Sequence, residues 1–280
     1  MVSTLGLNQR DIYFSIMVEN SEKLLIEDWR SGGIDAGDVV LVHSNLRRLY
    51  RRYLKYGIRL SPEQILQSLI EAVGSAGTLL LPLYNFDFTK GSVFDISNTP
   101  SQMGALTEAG RLHTDAVRTG HPIYSFVAIG RRSPDFANVE NKSGYGEDSP
   151  FAILHQMGGK IAILDLPDQN SMTFYHYVEE MMNVPYRYHK FFRGPYIDRN
   201  GIKEEREFTL FVRDLERGIT THVNPMGEYL WDRNLYFGDR PGTNSGLRTI
   251  NSMALFSATQ KIISTDNAEG MLFRIEEIKK

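Results

Sequence analysis

Three short runs are apolar without alternating with polar residues: Val39-Val40-Leu41-Val42, Thr78-Leu79-Leu80-Leu81, and the stretch from Lys160 to Leu166. A strand that faces solvent on one side alternates; one covered on both sides does not have to. Between the first two runs lies a well-marked helix. Ser61-Pro62-Glu63-Gln64 offers a capping serine, a proline at the first helical position and a glutamine placed to close a capping box. Ile65, Leu66, Leu69, Ile70 and Val73 then recur at helical spacing up to Gly74. Strand, helix and strand in that order predict a βαβ unit with parallel strands. The fold expected is α/β, a layered α/β sandwich around a mixed central sheet.

The rest of the chain is read against this unit. Ser21 to Ser31 predicts a helix stopped by Gly32-Gly33. His43-Ser44-Asn45-Leu46 ends the first buried strand and leads into an irregular segment. Tyr84 to Thr99 reads as a loop, Thr99 to Glu108 opens a helix, Ser125 to Ile129 is a short strand, and Ser149-Pro150-Phe151 starts another helix. After Glu180 the composition changes. Pro185 to Pro195 is rich in Tyr, Phe, Arg, His and Lys, and Asp198-Arg199-Asn200-Gly201 reads as a hairpin turn between two short strands. Phe208 to Leu215 predicts a third strand and Ala254 to Gln260 a helix; Ala268 to Lys279 reads as either. With no repeat and no low-complexity linker, residues 1–280 are expected to form one domain, with a smaller C-terminal lobe from about residue 184.

Composition excludes several function classes. A formal charge of −3 is too small to suggest nucleic acid or a membrane surface as partner. No apolar run approaches the roughly 20 residues that span a bilayer, and Met1 to Arg10 lacks the pattern of a signal peptide. A cytoplasmic protein is expected, with assembly into an oligomer left open. The chain has no cysteine, which removes disulfides, thiolate metal sites and a cysteine nucleophile.

The densest chemistry lies in Asn170 to Glu180. If helical, it sets Thr173, His176 and Glu179 on one face, because residues three apart are neighbours there. An imidazole of ordinary pKa suits taking a proton from an amine at neutral pH, and a carboxylate one turn away orients the ring. Glu180 competes with Glu179 for that task. A metal site is the alternative reading: His176 and Glu179 would supply two ligands, with a third from His43, His121 or His189. His43-Ser44 is equally readable as a turn. His121 is held by the following proline, and Tyr145-Gly146 presents backbone amides in a loop.

Together these segments resemble the aminoglycoside 3-N-acetyltransferase family. His43-Ser44-Asn45-Leu46 matches in order with Gly77 to Pro82, with Thr99 to Glu108, with Arg118-Thr119-Gly120-His121-Pro122 plus Ser125 and Gly130, and with Tyr145 to Phe151; Thr173-Phe174-Tyr175-His176-Tyr177-Val178-Glu179 is similar to the family's Thr-x-x-His-x-x-Glu. The blocks span about residues 35 to 180, and the C-terminal third matches loosely. The resemblance implies an α/β sandwich and an N-acyltransferase that uses acetyl-CoA or another acyl-CoA and no metal. It implies His176 as general base, Glu179 as its orienting partner and Thr173 at the acyl-transfer centre. His43, Ser44, His121, Ser125, Tyr145 and Gly146 would form the acyl-CoA side. Transfer to the amine would be direct, consistent with the missing cysteine.

The acceptor expected here is not the family's. Tyr84 with Arg187, His189 and Arg193, among the aromatic residues Tyr186 to Phe192, reads as a site for an anionic ring-bearing substrate. A nucleotide-linked amino sugar fits that segment, with a polycationic aminoglycoside as the alternative. A metal hydrolase and a non-catalytic binding module are the remaining readings.

Overall fold

The computed structural model describes residues 21–277. The reading of Met1 to Arg10 and the last residues of the 268–279 element lie outside them. The predicted βαβ unit is present: β1 (Val39–Ser44), α3 (Pro62–Val73) and β2 (Thr78–Pro82), with β1 and β2 paired in parallel. Ser61 accepts from the Gln64 amide, and the Gln64 side chain accepts from the Ser61 amide, so both halves of the capping box form. The third apolar run is β6 (Lys160–Leu164), parallel to β1 on its other side.

Antiparallel strands extend this parallel centre. β5 (Phe126–Gly130) pairs with β2, and β4 (Val117–Arg118) with β5. β11 (Leu247–Asn251) pairs with β6, and β10 (Phe237–Gly238) with β11. The sheet thus runs β10-β11-β6-β1-β2-β5-β4 among the described residues, a mixed sheet. A Cβ on Gly130, at φ 125, would lie 2.4 Å from the Gly77 carbonyl oxygen, so only glycine fits where β5 leaves β2.

The pleat sorts side chains between two cores. Val40, Val42, Leu79, Leu81, Ala162 and Leu164 face the core covered by helix α1 (residues 21–31), α2 (Arg47–Leu54), α3 and α4 (Ala105–Arg111). Leu41, Leu80, Phe126, Ala128, Ile161 and Ile163 face the opposite core, under α5 (Pro150–Gln156), α6 (Phe174–Met181) and α8 (Ser252–Ser264).

Two elements differ from expectation. The segment after β1 is the helix α2, not irregular chain; it buries only Leu49 and Tyr53, and its arginines hide the apolar period. The two short strands and separate third strand expected after residue 185 are one long hairpin, β7 (Arg187–Ile197) with β8 (Lys203–Arg213). β3 (Phe94–Asp95) adds to it, making a smaller three-stranded sheet. β9 (Ile219–Thr221), α7 (Asn224–Asp232) and β12 (Phe273–Ile275) complete the smaller region. β10 and β11 return to the central sheet, and one core joins Phe208, Leu210 and Tyr196 of the hairpin to Leu41 and Ile163 of the sheet.

Candidate active site

Alternation along β1 places His43 on the same face as Leu41, opening into a cavity of about 290 Å³ outside the carboxyl ends of the parallel strands, where open α/β sheets hold ligands. His43, Tyr84, Tyr124, Met103, Thr173 and His176 line it, with Gln169, Asn170 and Thr221 at the polar side. Burial lowers the His43 imidazole to about 4, so the ring is neutral at pH 7.

The Thr-x-x-His-x-x-Glu stretch is helical from Phe174, with Thr173 just before the first turn. His176 Nδ1 lies 2.8 Å from Glu179 Oε2, an i,i+3 contact on one helical face. Glu179 is 1% exposed, and Arg187 Nε approaches the same carboxylate oxygen at 2.8 Å. Burial alone would raise Glu179, but the Arg187 guanidinium, with the hydrogen bond from His176, brings the carboxyl below its usual range. Glu179 is therefore ionised at neutral pH and is the partner of His176. Glu180 points elsewhere, accepting from Ser143 Oγ at 2.8 Å.

With Nδ1–H donated to Glu179, the His176 Nε2 lone pair is left toward the cavity. No hydrogen bond to Nε2 is made among the described residues. Burial lowers the imidazole, Arg187 adds to that, and Glu179 pulls the other way; the net direction is down. A neutral imidazole beside a cavity is the state a general base needs. The ring stands edge-on to Tyr145 at 5.3 Å, and Tyr145, Tyr124 and Tyr84 continue as a buried aromatic row toward His43. Thr173 and Tyr84 both line the cavity.

A second buried constellation anchors this wall. Asp168 accepts from Tyr175 at 2.7 Å, Tyr236 at 2.8 Å and Arg248 Nη2 at 2.8 Å. Tyr175 precedes His176 on α6, so the network fixes that helix to β11. Gly227 on α7 packs against it so closely that a Cβ would lie 2.7 Å from Asp168 Cγ.

Of the residues singled out in the sequence, His43, Tyr84, Thr173 and His176 meet at the cavity, with Glu179 and Tyr145 directly behind His176. The others stand apart. Ser44 alternates to the opposite face of β1, with Val42. His121 is fully buried; its Nδ1 accepts from the amides of Ile123 and Tyr124, and Nε2 lies 3.3 Å from the Thr209 carbonyl oxygen. Ser125 donates to the Leu83 carbonyl oxygen and accepts from Arg118. The Gly146 amide is spent on Ser143. His121, Ser125 and Gly146 thus each spend a polar group on a partner within the fold. Arg187 is turned inward, its side chain 6% exposed. His189 and Arg193 lie on the exposed outer half of β7, Arg193 72% exposed and 3.9 Å from Glu205. The expected anion site from Arg187, His189 and Arg193 is thus not assembled: one is buried, two are on the surface.

The structure adds Tyr124, Met103 and the Asp168 network, which sequence reasoning missed. Tyr124 sits inside the matched block around His121 and Ser125, and its aromatic ring beside a fixed loop was the available signal. Among the described residues no group of three or more His, Cys, Asp or Glu is placed to hold a metal ion, and no helix is long and apolar enough to cross a membrane.

Residues 41–237 match the family model for aminoglycoside 3-N-acetyltransferase. Aminoglycoside N(3)-acetyltransferase VII of Streptomyces paromomycinus is 29% identical over 181 residues, covering 58% of this chain and 60% of that protein. The YokD aminoglycoside N(3')-acetyltransferase-like protein of Bacillus subtilis is 26% identical, covering 64% and 71%. The chain thus spans about three fifths of the length of the first of these relatives. Among solved structures, AAC-IIIb with CoASH superposes with a TM-score of 0.74 at 21% identity, covering 88% of this chain and 96% of that one. AAC-VIa with sisomicin gives 0.71 at 21% identity, covering 89% and 98%. At that identity the likeness establishes the fold. The family match extends over most of the chain and includes every residue of the cavity wall named above: this chain belongs to the aminoglycoside 3-N-acetyltransferase family.

Proposed function

We propose that the protein is an acetyl-CoA-dependent N-acetyltransferase that acetylates an amine of an aminoglycoside. The observation that carries this reading is the His176–Glu179 pair, ionised at Glu179 and neutral at His176, with Nε2 directed to the cavity. The neutral amine attacks the thioester carbonyl carbon. Its proton passes to His176 Nε2, and the carbon–sulfur bond breaks as the amide forms. The departing thiolate takes the proton from the imidazolium, leaving CoASH and the acetylated amine. Held in one cleft, the two substrates also gain from proximity.

The aminoglycoside acceptor rests on the names of the relatives and on the loss of the argument for an anionic one. A nucleotide-linked amino sugar was expected to bind Arg187, His189 and Arg193, and that set is dispersed. The test is release of free thiol from acetyl-CoA by the purified full chain, over a panel of aminoglycosides, simple amino sugars and nucleotide-linked amino sugars. Turnover with aminoglycosides is expected. His176→Ala should lower kcat by about 10²–10⁴-fold, the usual scale of general-base help. Turnover only with nucleotide-linked sugars overturns the acceptor, and no turnover with any amine overturns the enzyme reading.

A further inference from the structure

Three groups meet at one nitrogen. His176 Nδ1 is 2.8 Å from Glu179 Oε2 and 2.8 Å from Arg187 Nη2. Arginine has only donors. If Nδ1 carries its proton toward Glu179, it cannot also accept from Arg187. If it accepts from Arg187, Glu179 loses its donor. One of the contacts therefore stays unmade in either tautomer. Arg187 Nε, buried and 2.8 Å from Glu179 Oε2, makes no aligned hydrogen bond, while Nη1 donates to the Phe211 carbonyl oxygen at 3.0 Å. The guanidinium is thus locked between β8 and α6, pressed against the imidazole edge away from the cavity.

We propose that Arg187 is a positioning residue for the His176–Glu179 pair: it holds the Glu179 carboxylate on Nδ1 and sets a fixed positive charge behind the ring, so that a proton taken at Nε2 is passed on and not retained. This deepens the acetyltransferase reading and rests on it for its catalytic meaning. A base paired only with a carboxylate would hold its proton more firmly. The fixed charge makes the imidazolium a better acid toward the departing thiolate, while Glu179 keeps the ring in the tautomer that receives the proton.

Other charges near His176 do not duplicate this arrangement. On α6 itself, Glu179 contacts the ring and Glu180 faces Ser143. From β8, Arg213 acts at longer range. From the loop before α5, Tyr145 packs edge-on with its hydroxyl un-ionised at neutral pH, since burial raises it well above the usual phenol range. From β1, His43 is neutral. Only Arg187 combines contact, burial and fixed charge among the described residues. Its lowering effect on His176 agrees in direction.

The test follows the titration of His176 in the full chain labelled with ¹⁵N at histidine, together with the pH profile of kcat/KM for thiol release. Arg187→Gln should move the His176 midpoint and the acidic limb of the profile to higher pH. Glu179→Gln should move both to lower pH. Because Arg187→Gln leaves a buried carboxylate unpaired and can fail to fold, the deciding pair is Glu179→Gln against Glu179→Gln/Arg187→Met, which removes both charges. The double variant should titrate at higher pH than the single one. An equal or lower midpoint overturns the proposal. The titration needs no substrate, so an absence of acetyl transfer overturns the enzyme reading and leaves the Arg187 result to stand or fall separately.

Discussion

Asp168→Asn should unfold this protein well before it disables any chemistry. The carboxylate is buried and accepts from three donors: Arg248 Nη2 on Oδ1, and the hydroxyls of Tyr175 and Tyr236 on Oδ2. Arg248 is 1% exposed, its Nε already without a partner and its Nη1 given to the Leu166 carbonyl oxygen. An asparagine has one acceptor oxygen where the aspartate has two. Its amide group must therefore face either the guanidinium, donor against donor, or the two tyrosine hydroxyls, which would have to turn and accept. It also leaves the Arg248 charge uncompensated in the core. Breaking one side of a buried ion pair typically costs about 3–5 kcal/mol, and the stranded hydroxyls belong to the same loss and are not added to it. For a chain somewhat above 250 residues each kcal/mol moves Tm by about 2–4 °C, so a fall of about 10 °C is expected by differential scanning calorimetry. Asp168→Asn/Arg248→Met removes both charges and should recover part of that fall, since contacting residues are not additive. A single variant whose Tm stays within about 2 °C of the parent would refute the reasoning, because the hub would then not hold β11, α6 and α7 together.

Glu180 predicts a pH effect of defined sign. Burial raises its carboxyl to about 7, against a hydrogen bond from Ser143 and with Asp148 adding to the rise. A raised folded-state pKa means the folded chain holds the proton better than the unfolded one, so stability is complete below the unfolded value and is lost as pH climbs toward 7. Glu180→Gln should gain on the parent between pH 4.5 and 7 in urea unfolding; parallel curves across that window would count against a buried carboxyl there. Ser61→Ala opens the capping box of α3 and should cost about 1 kcal/mol, read as a lower urea midpoint with unchanged slope.

How much of this was legible depends on how far apart the interacting residues lie. The βαβ unit and the His176–Glu179 pair are local: a capping box, an apolar period and an i,i+3 spacing can each be read from neighbouring letters. α2 was missed because Arg47, Arg48, Arg51 and Arg52 crowd a helix that buries just two side chains. The β7–β8 hairpin was shortened because the outer half of β7 is exposed, so no alternation marks it. His121 looked like a ligand-facing histidine, yet its ring satisfies two backbone amides of its own loop. Arg187 looked like an anion receptor from its basic neighbours, and alternation does put His189 and Arg193 on its face of β7. Burial along the strand is what differs: Arg187 lies at the covered end against Glu179, and Arg193 reaches solvent. The Asp168–Arg248 contact joins residues 80 apart in sequence, beyond any local pattern. The division has a chemical consequence. The groups that would exchange a proton with substrate sit on one short helix and are readable. The charges that set when they exchange it arrive from β7 and β8, so a chain can keep Thr-x-x-His-x-x-Glu and still differ in the pH at which its histidine works.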